Sequence, residues 1–436
     1  MRRLVFALLT ASVAACGGDD VAPAVDAAVD AAIIPPTAAL DRDVLTTSLA
    51  VDLASRTGTA TIGFAAAAGP GASLEVGDLT ITAVQVDGVD VPYAVTNRQL
   101  DLGVGPAPVT VTIGYGWRYH NQGDGADSDG FTLTWPYYCG NLFPCHSLPA
   151  DGSTFQLAIT GVAQGQTAVY PPTIPADAAA YQLAWAVGPY QRQSLGTTTA
   201  GTEVVAWIYP GEEQAAATGT AHLRDAFDWM ETHLGPYRFG PVVGSVSAHW
   251  GGGAYGGMEH HPLWHVASDA LSDESVHVHE AAHGWFGDGI RLKCWEDFVL
   301  SEGAATYYEA RVIEEVVSQA AGNVAWGQLD QELINMRSAG GGGVAWPASC
   351  GSVDVLTLFS RTPYVKGALF LRAVERKVGR GPFDTAMRAF YNTYGGDAAG
   401  VTDLVATFTT VTGYDASGCA TSWLGSASIP TELACP

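Results

Sequence analysis

The stretch HEAAHGWFGDGIRLKCWEDFVLSEG, residues 279–303, decides how the second half of the chain is read. His279 and His283 are four apart, so on a helix they share one face and both imidazoles can point at one metal. Glu280 stands beside them, placed to take a proton from water. This pattern alone arises by chance in roughly one comparable sequence in a hundred. Glu302, 19 residues after His283, changes the weight of the reading. Zinc in a catalytic site takes three protein ligands and keeps a fourth position open. Two histidines plus a carboxylate from a neighbouring helix make such a set, unlike the closed, cysteine-rich set of a structural site. The bland alternative is that Glu302 is a solvated helix residue. Requiring a Glu there lowers the chance estimate to a few in about ten thousand.

Working outward, two helices are expected around the stretch, at 273–286 and 297–317. Helical spacing recurs near 364–379 and 382–394. It is also present at 215–234, where Leu223, Phe227, Met230 and Leu234 fall on one side before Gly235-Pro236 stops the helix. Residues 242–246 read as a strand. From 38 to about 210 the pattern is different. Residues 79–86 alternate and then meet the turn pair Asp87-Gly88, and residues 109–113 alternate again. Short β-branched runs between Gly and Asp turns predict an antiparallel sheet domain. The expected fold class is therefore β followed by α+β, with a β-domain over 38–207 and a second domain over 208–436.

Composition narrows the partners. Of 436 residues, 47% are hydrophobic, enough to bury an ordinary core. Acidic residues outnumber basic ones 44 to 20, for a net charge of −24. Nucleic acid is thereby excluded as the main partner, because phosphate binding needs a basic face.

The first residues read as an address. Met1-Arg2-Arg3 is basic, and residues 4–15 form an apolar stretch too short to span a membrane. It ends in Val13-Ala14-Ala15-Cys16. Small residues directly before a Cys resemble a bacterial lipoprotein cleavage box. The expectation is a signal peptide over 1–15, a lipidated Cys16, and a flexible linker over 16–37 rich in Gly, Asp, Ala and Pro. The alternative is an ordinary signal peptide with an incidental Cys. Both readings imply export; the one preferred places the protein in the bacterial cell envelope, touching a membrane through a lipid anchor only, since no later segment offers an apolar span.

Six cysteines remain beyond Cys16: Cys139, Cys145, Cys294, Cys350, Cys419 and Cys435. An even number in an exported chain predicts disulfides. Proximity favours Cys139–Cys145, Cys294–Cys350 and Cys419–Cys435, among about fifteen possible pairings.

With these residues in hand, the chain resembles the aminopeptidase N and leukotriene hydrolase family of gluzincin zinc metallopeptidases. HEAAHGWFGD followed by CWEDFVLSEGAATYYEAR is similar to that family's zinc signature. Gly256-Gly257-Met258-Glu259-His260 resembles its Gly-x-Met-Glu-Asn exopeptidase motif. Tyr364-Val365-Lys366-Gly367 resembles its Tyr-x-Lys-Gly, and Asn141-Leu142-Phe143-Pro144-Cys145 its Phe-Pro-Cys segment. The resemblance implies an N-terminal saddle-like β-domain and a thermolysin-like catalytic domain, in a short form without the large C-terminal helical domain of many members. It implies one zinc per chain on His279, His283 and Glu302, with Glu280 as general base and proton shuttle. It implies that Tyr364 donates to the tetrahedral oxyanion, that Glu259 pairs with the substrate's N-terminal ammonium, and that Gly256, Gly257 and Met258 dock the peptide backbone.

Each role has a plain rival: Tyr364 as a packing residue at a helix start, Glu259 as a strand-edge carboxylate. The other histidines, His260, His261, His265 and His277 among them, are expected to line the cleft or the surface, while Trp285, Trp295 and Phe298 read as core. Departures from the family pattern are His260 for Asn, Ser301 for the Asn before the third ligand, and no Gln or Glu in residues 132–144 to serve as a second ammonium anchor. The function expected is a zinc-dependent aminopeptidase acting on peptides outside the cytoplasm. The alternatives are a zinc endopeptidase or related zinc hydrolase, or a non-catalytic surface-binding lipoprotein with a peptidase fold.

Overall fold

The structure is a computed structural model that describes residues 34–430, apart from 122, 251–255, 348 and 353, together with 433–435. The signal peptide, Cys16 and the linker up to residue 33 lie outside the described residues.

The first half is β, as its alternating runs predict. Seven strands form one sheet in the order Thr173–Ala179, Gly152–Thr160, Val44–Asp52, Thr57–Phe64, Val109–Gly116, Thr80–Val86 and Val89–Asp90. Neighbours are antiparallel with one exception: Val44–Asp52 and Gly152–Thr160 run parallel, from Thr46 opposite Thr154 to Asp52 opposite Thr160. The Asp87-Gly88 turn has φ of +50° and +77°, the doubly left-handed geometry that matches strand twist in a two-residue hairpin. A second sheet of Ala72–Glu75, Gln99–Leu102 and Tyr93–Thr96 adds to the domain. Leu49, Ile62, Leu74, Leu100 and Ile113 are buried together in its core.

A five-stranded sheet opens the second half, in the order Gln191–Thr197, Glu203–Ile208, Val242–Ala248, Leu263–Ala267 and Gly257–Met258. The expected boundary at 207/208 thus falls at the end of this sheet's second strand. Gln191–Thr197 is almost entirely polar, so sequence pattern alone cannot tell which sheet it joins. The sheet's three inner strands are parallel, and both edge strands, Gln191–Thr197 and Gly257–Met258, are antiparallel. Glu213–Gly219, Leu223–His233 and Glu274–Ala282 pack on the sheet, and Ala304–Val312, Gln319–Ser338, Arg361–Val378, Arg380–Tyr394, Val401–Thr412 and Ser417–Trp423 pack on these helices and on one another. The helix expected over 215–234 is two helices, broken at 220–222. The helix expected over 297–317 is continuous in course but changes pitch: a tight turn at Trp295–Asp297, a π turn at Val299–Gly303, α over Ala304–Val312, and a second π turn at Ile313–Val317. Trp285, Trp295 and Phe298 are buried core, as expected.

Three disulfides pair Cys139 with Cys145, Cys294 with Cys350, and Cys419 with Cys435. No described helix is long and apolar enough to cross a membrane.

Candidate active site

Asp273 starts the first site helix, its side chain accepting from the Ser275 amide at 3.0 Å. One turn separates His279 from His283, and the helix ends at His283. The third ligand arrives from Val299–Gly303. The wide π turn there carries Ser301 and Glu302 to the two imidazoles, and such turns are frequent at functional sites. His279 Nε2 lies 3.1 Å from Glu302 Oε2 and 3.3 Å from His283 Nε2, and the third edge of the triangle is 3.6 Å.

The donor set fits a single zinc ion. A tetrahedron with bonds of about 2.0–2.1 Å has edges of about 3.3 Å. The tautomers agree. His283 Nδ1 donates to the Phe286 carbonyl at 3.0 Å, and His279 Nδ1 donates to Glu309 Oε2 at 3.2 Å. With both Nδ1 atoms protonated, each Nε2 turns a bare lone pair inward. Two lone pairs and a carboxylate oxygen then converge with no proton among them, an arrangement that calls for a cation. Partners of this kind fix ligand orientation at zinc sites. The electrostatics show that this corner favours positive charge, which a proton on the imidazoles supplies in the metal-free protein and a cation would supply in its place. Burial opposes charge on His283, yet Glu302 and Glu259 outweigh it and hold the imidazole up at about 9. Burial likewise opposes charge on Glu302, and the two imidazoles outweigh it and hold its carboxyl down at about 2. Two other groupings of Cys with Glu cannot hold a metal, because their thiols are consumed in Cys139–Cys145 and Cys294–Cys350.

Glu280 and Glu259 approach the same point from two elements. Each offers an oxygen within 4.8 Å of His283 and of the other. Burial pushes Glu280 up to about 8 and Glu259 up to about 7, with the imidazoles pulling both down. Glu280 Oε2 is buried without a hydrogen-bond partner among the described residues. Its backbone is pinned: His261 Nε2 donates to the Glu280 carbonyl at 2.7 Å, and Tyr237 donates to His261 Nδ1 at 2.8 Å. Gly257 has to be glycine here, because a Cβ on it would lie 2.4 Å from Glu280 Oε1. Gly257, on the edge strand Gly257–Met258, therefore runs directly past the carboxylate, and Gly256 and Met258 line the same cavity.

Tyr364 stands at the opposite wall. Its ring stacks on His279 with centroids 6.1 Å apart, and the Arg361 guanidinium sits 4.9 Å above it. Burial, then the carboxylates of Glu302, Glu259 and Glu280, raise the phenol well above its ordinary value, so it keeps its proton and can donate it. Lys366, two residues on, points away. It is buried and donates to the Gly343, Ser426 and Ser428 carbonyls, so it ties loops down. The three ligand side chains, Glu280, Glu259, the Gly256–Met258 segment and Tyr364 open onto one cavity of about 840 Å³.

The structure brings together every residue expected at the site. It corrects the expectation for the extra histidines: His260, His261, His265 and His277 are buried, not exposed or cleft-lining. Each ring bonds to backbone, as His260 does to the Tyr181 carbonyl and His277 to the Leu271 carbonyl. Sequence reasoning missed Glu309, although its place seven residues after Glu302 puts it on the same helix face. It also missed Tyr181, which reaches from the β-domain to donate to the buried Asp288 at 3.0 Å. Trp135, Phe359 and Arg361 at the cavity wall carried no motif.

Taken together, fold and cluster define a class: a thermolysin-like metallopeptidase domain of the HExxH-plus-Glu type behind a β-domain. Residues 258–423 match the model of the peptidase family M1 domain. Among curated relatives, leucine aminopeptidase 2-1 of Meyerozyma guilliermondii is 23% identical over 61% of this chain and 45% of its own length. A leukotriene A-4 hydrolase homolog of Botryotinia fuckeliana is 30% identical over 32% of this chain and 23% of its own. The match thus spans less than half the length of these relatives. Among solved structures, an M1 zinc metallopeptidase mutant from Deinococcus radiodurans, bound to a Tyr-Ser-Ala substrate, superposes with a TM-score of 0.76 at 20% identity. It covers 90% of this chain and 96% of that one. Legionella pneumophila aminopeptidase A in complex with aspartic acid gives 0.76 at 16% identity, over 89% of this chain and 50% of the other.

Proposed function

We propose that this chain is a zinc-dependent aminopeptidase that removes N-terminal residues from peptides outside the cytoplasm, anchored in the bacterial cell envelope by a lipid on Cys16. One observation carries the catalytic reading. The three converging ligand atoms, the buried Glu280 carboxylate, Glu259 and the protonated Tyr364 share a single cavity. The printed names of the relatives support it, since they are aminopeptidases and a leukotriene hydrolase homolog.

His279, His283 and Glu302 would hold the zinc, which when bound would supply Lewis acidity and lower the pKa of water to near ~7. Glu280 takes the proton from the attacking water and hands it to the leaving amine. It works as a base in its ionised form, which positive charge at the neighbouring ligands favours. Tyr364 donates its phenol hydrogen to the oxyanion, an effect typically worth ~3 kcal/mol. Glu259 receives the substrate ammonium, and the edge strand Gly257–Met258 hydrogen-bonds the peptide backbone. Digestion of a peptide library by the purified, zinc-loaded protein tests the reading, with free and N-acetylated peptides side by side. Stepwise loss from free N-termini supports it. Equal cleavage inside blocked peptides supports an endopeptidase, and no cleavage supports the surface-binding alternative.

A further inference from the structure

Charge is spread unevenly around the cavity. Five glutamates line it, Glu259, Glu280, Glu302, Glu309 and Glu332, while Arg361 is the only Arg or Lys among the described lining residues. Metal, water and substrate ammonium occupy Glu302, Glu280 and Glu259 in the reading above. Glu309 accepts from His279 at 3.2 Å. Glu332 and Arg361 hold each other: Arg361 Nε donates to Glu332 Oε2 at 3.0 Å, and Nη2 donates to Glu332 Oε1 at 3.1 Å.

That pairing uses one edge of the guanidinium. Arginine carries five N–H donors in a planar fork, so a second edge can grip another carboxylate through two parallel bonds. The second edge, Nη1 with the outer hydrogen of Nη2, has no hydrogen-bond partner among the described residues, and the side chain is 54% exposed. Glu332 offsets part of the charge but fixes the plane of the fork. The free edge therefore offers directed hydrogen bonds at low ordering cost.

Its position suits the far end of a short substrate. The guanidinium lies 4.9 Å from the centre of the Tyr364 ring, and that ring lies 6.1 Å from the ring of His279. Arg361 is thus two ring contacts from the ligand cluster where the reacting carbonyl would sit. An extended chain advances ~3.3–3.6 Å per residue, so one or two residues past the scissile bond cover the distance. Arg361 also opens the helix Arg361–Val378, whose positive end adds to the attraction.

We propose that the free edge of Arg361 binds the C-terminal carboxylate of the substrate, so that the enzyme selects peptides two or three residues long. This rests on the aminopeptidase reading, which puts the ammonium at Glu259 and leads the chain past Tyr364. The cavity then grips both ends of a short zwitterion, and a longer peptide loses the second grip.

Calorimetric binding to the zinc-loaded Glu280→Gln protein tests it without turnover. The probes are Leu-Gly-Gly, its C-terminal amide, its N-acetyl form, and the hexapeptide Leu-Gly-Gly-Gly-Gly-Gly. The free tripeptide is expected to bind about 10- to 100-fold more tightly than the amide or the hexapeptide. Arg361→Gln at matched zinc content should bring the tripeptide down to the amide's affinity. Arg361→Lys, which keeps the charge but not the fork, should retain only part of the gap. A tripeptide that binds no better than its amide or the hexapeptide overturns the assignment, as does a gap that persists in Arg361→Gln. The aminopeptidase reading survives both results as long as N-acetylation still weakens binding. If acetylation changes nothing while the amide still binds poorly, the aminopeptidase reading falls and the carboxylate site remains. No binding by any probe overturns both.

Discussion

Gly303, one residue after the third ligand, and Gly367, three residues after Tyr364, meet across two helices: a Cβ built on either would lie 2.6 Å from the other's Cα. Two backbones this close allow Glu302 and Tyr364 to face one cavity from adjacent helices. Gly367→Ala would also drive its methyl to 2.7 Å from Val299 Cγ2. The expected cost is about 1–3 kcal/mol of stability from overpacking. Because the strain separates ligand from phenol, kcat should fall as well. Thermal melting and single-turnover kinetics check this, and a variant with unchanged Tm and kcat would show that the contact positions nothing.

Metal content is the next consequence. The purified protein should carry one zinc per chain, and His283→Ala should lose nearly all of it. Glu309→Gln is the finer test. Glu309 touches no metal in this account but orients His279 through Nδ1. Removing its charge should weaken zinc affinity by about 10- to 100-fold, read by competition with a chelator.

Much of this site was legible in the chain. The spacing of His279, His283 and Glu302 predicts a helix and a candidate ligand set, because metal geometry tolerates few alternatives, while the reaction type was legible only through the family resemblance. The Gly303–Gly367 contact was not legible, since a close backbone approach depends on two segments 64 residues apart. The Gln319–Ser338 helix went unread although its buried residues Gly322, Trp326, Leu329 and Leu333 keep helical spacing. Its otherwise polar, Gly- and Asn-containing sequence dilutes that stripe. The parallel pairing of Val44–Asp52 with Gly152–Thr160 was equally hidden, because alternation reports burial and not strand direction. The extra histidines misled for a related reason: a polar side chain can be buried when backbone carbonyls satisfy it.

Those histidines make stability depend on pH. Burial pushes His261 and His265 down to about 3, far below the ordinary value of ~6.5. The unfolded chain therefore binds more protons than the folded one between these limits. Their contribution is intact above about pH 6.5 and is lost progressively as pH falls toward 3. Each histidine shifts the unfolding constant by up to about tenfold per pH unit. Denaturant unfolding of zinc-loaded wild type and His265→Gln at pH 7 and pH 5 isolates one of them. The variant should lose less stability on acidification, and identical slopes would contradict the assignment.

Envelope anchoring is tested at Cys16. Cys16→Ser should release the protein from the membrane fraction or leave it mislocalised. Association that persists in the variant and survives high-salt washing would contradict a lipid on this residue.

The division of labour between Glu280 and Glu259 tests the central claim most directly. The measurement is kcat and KM for a free and an N-acetylated peptide, on zinc-matched wild type, Glu280→Gln and Glu259→Gln. Glu280→Gln keeps shape and metal but cannot accept a proton, so kcat should fall at least ~10²-fold on every substrate. Glu259→Gln should weaken only substrates with a free N-terminus, chiefly through KM. A Glu280→Gln enzyme within threefold of wild type at full zinc occupancy, or a Glu259→Gln loss equal on free and blocked peptides, would contradict the account.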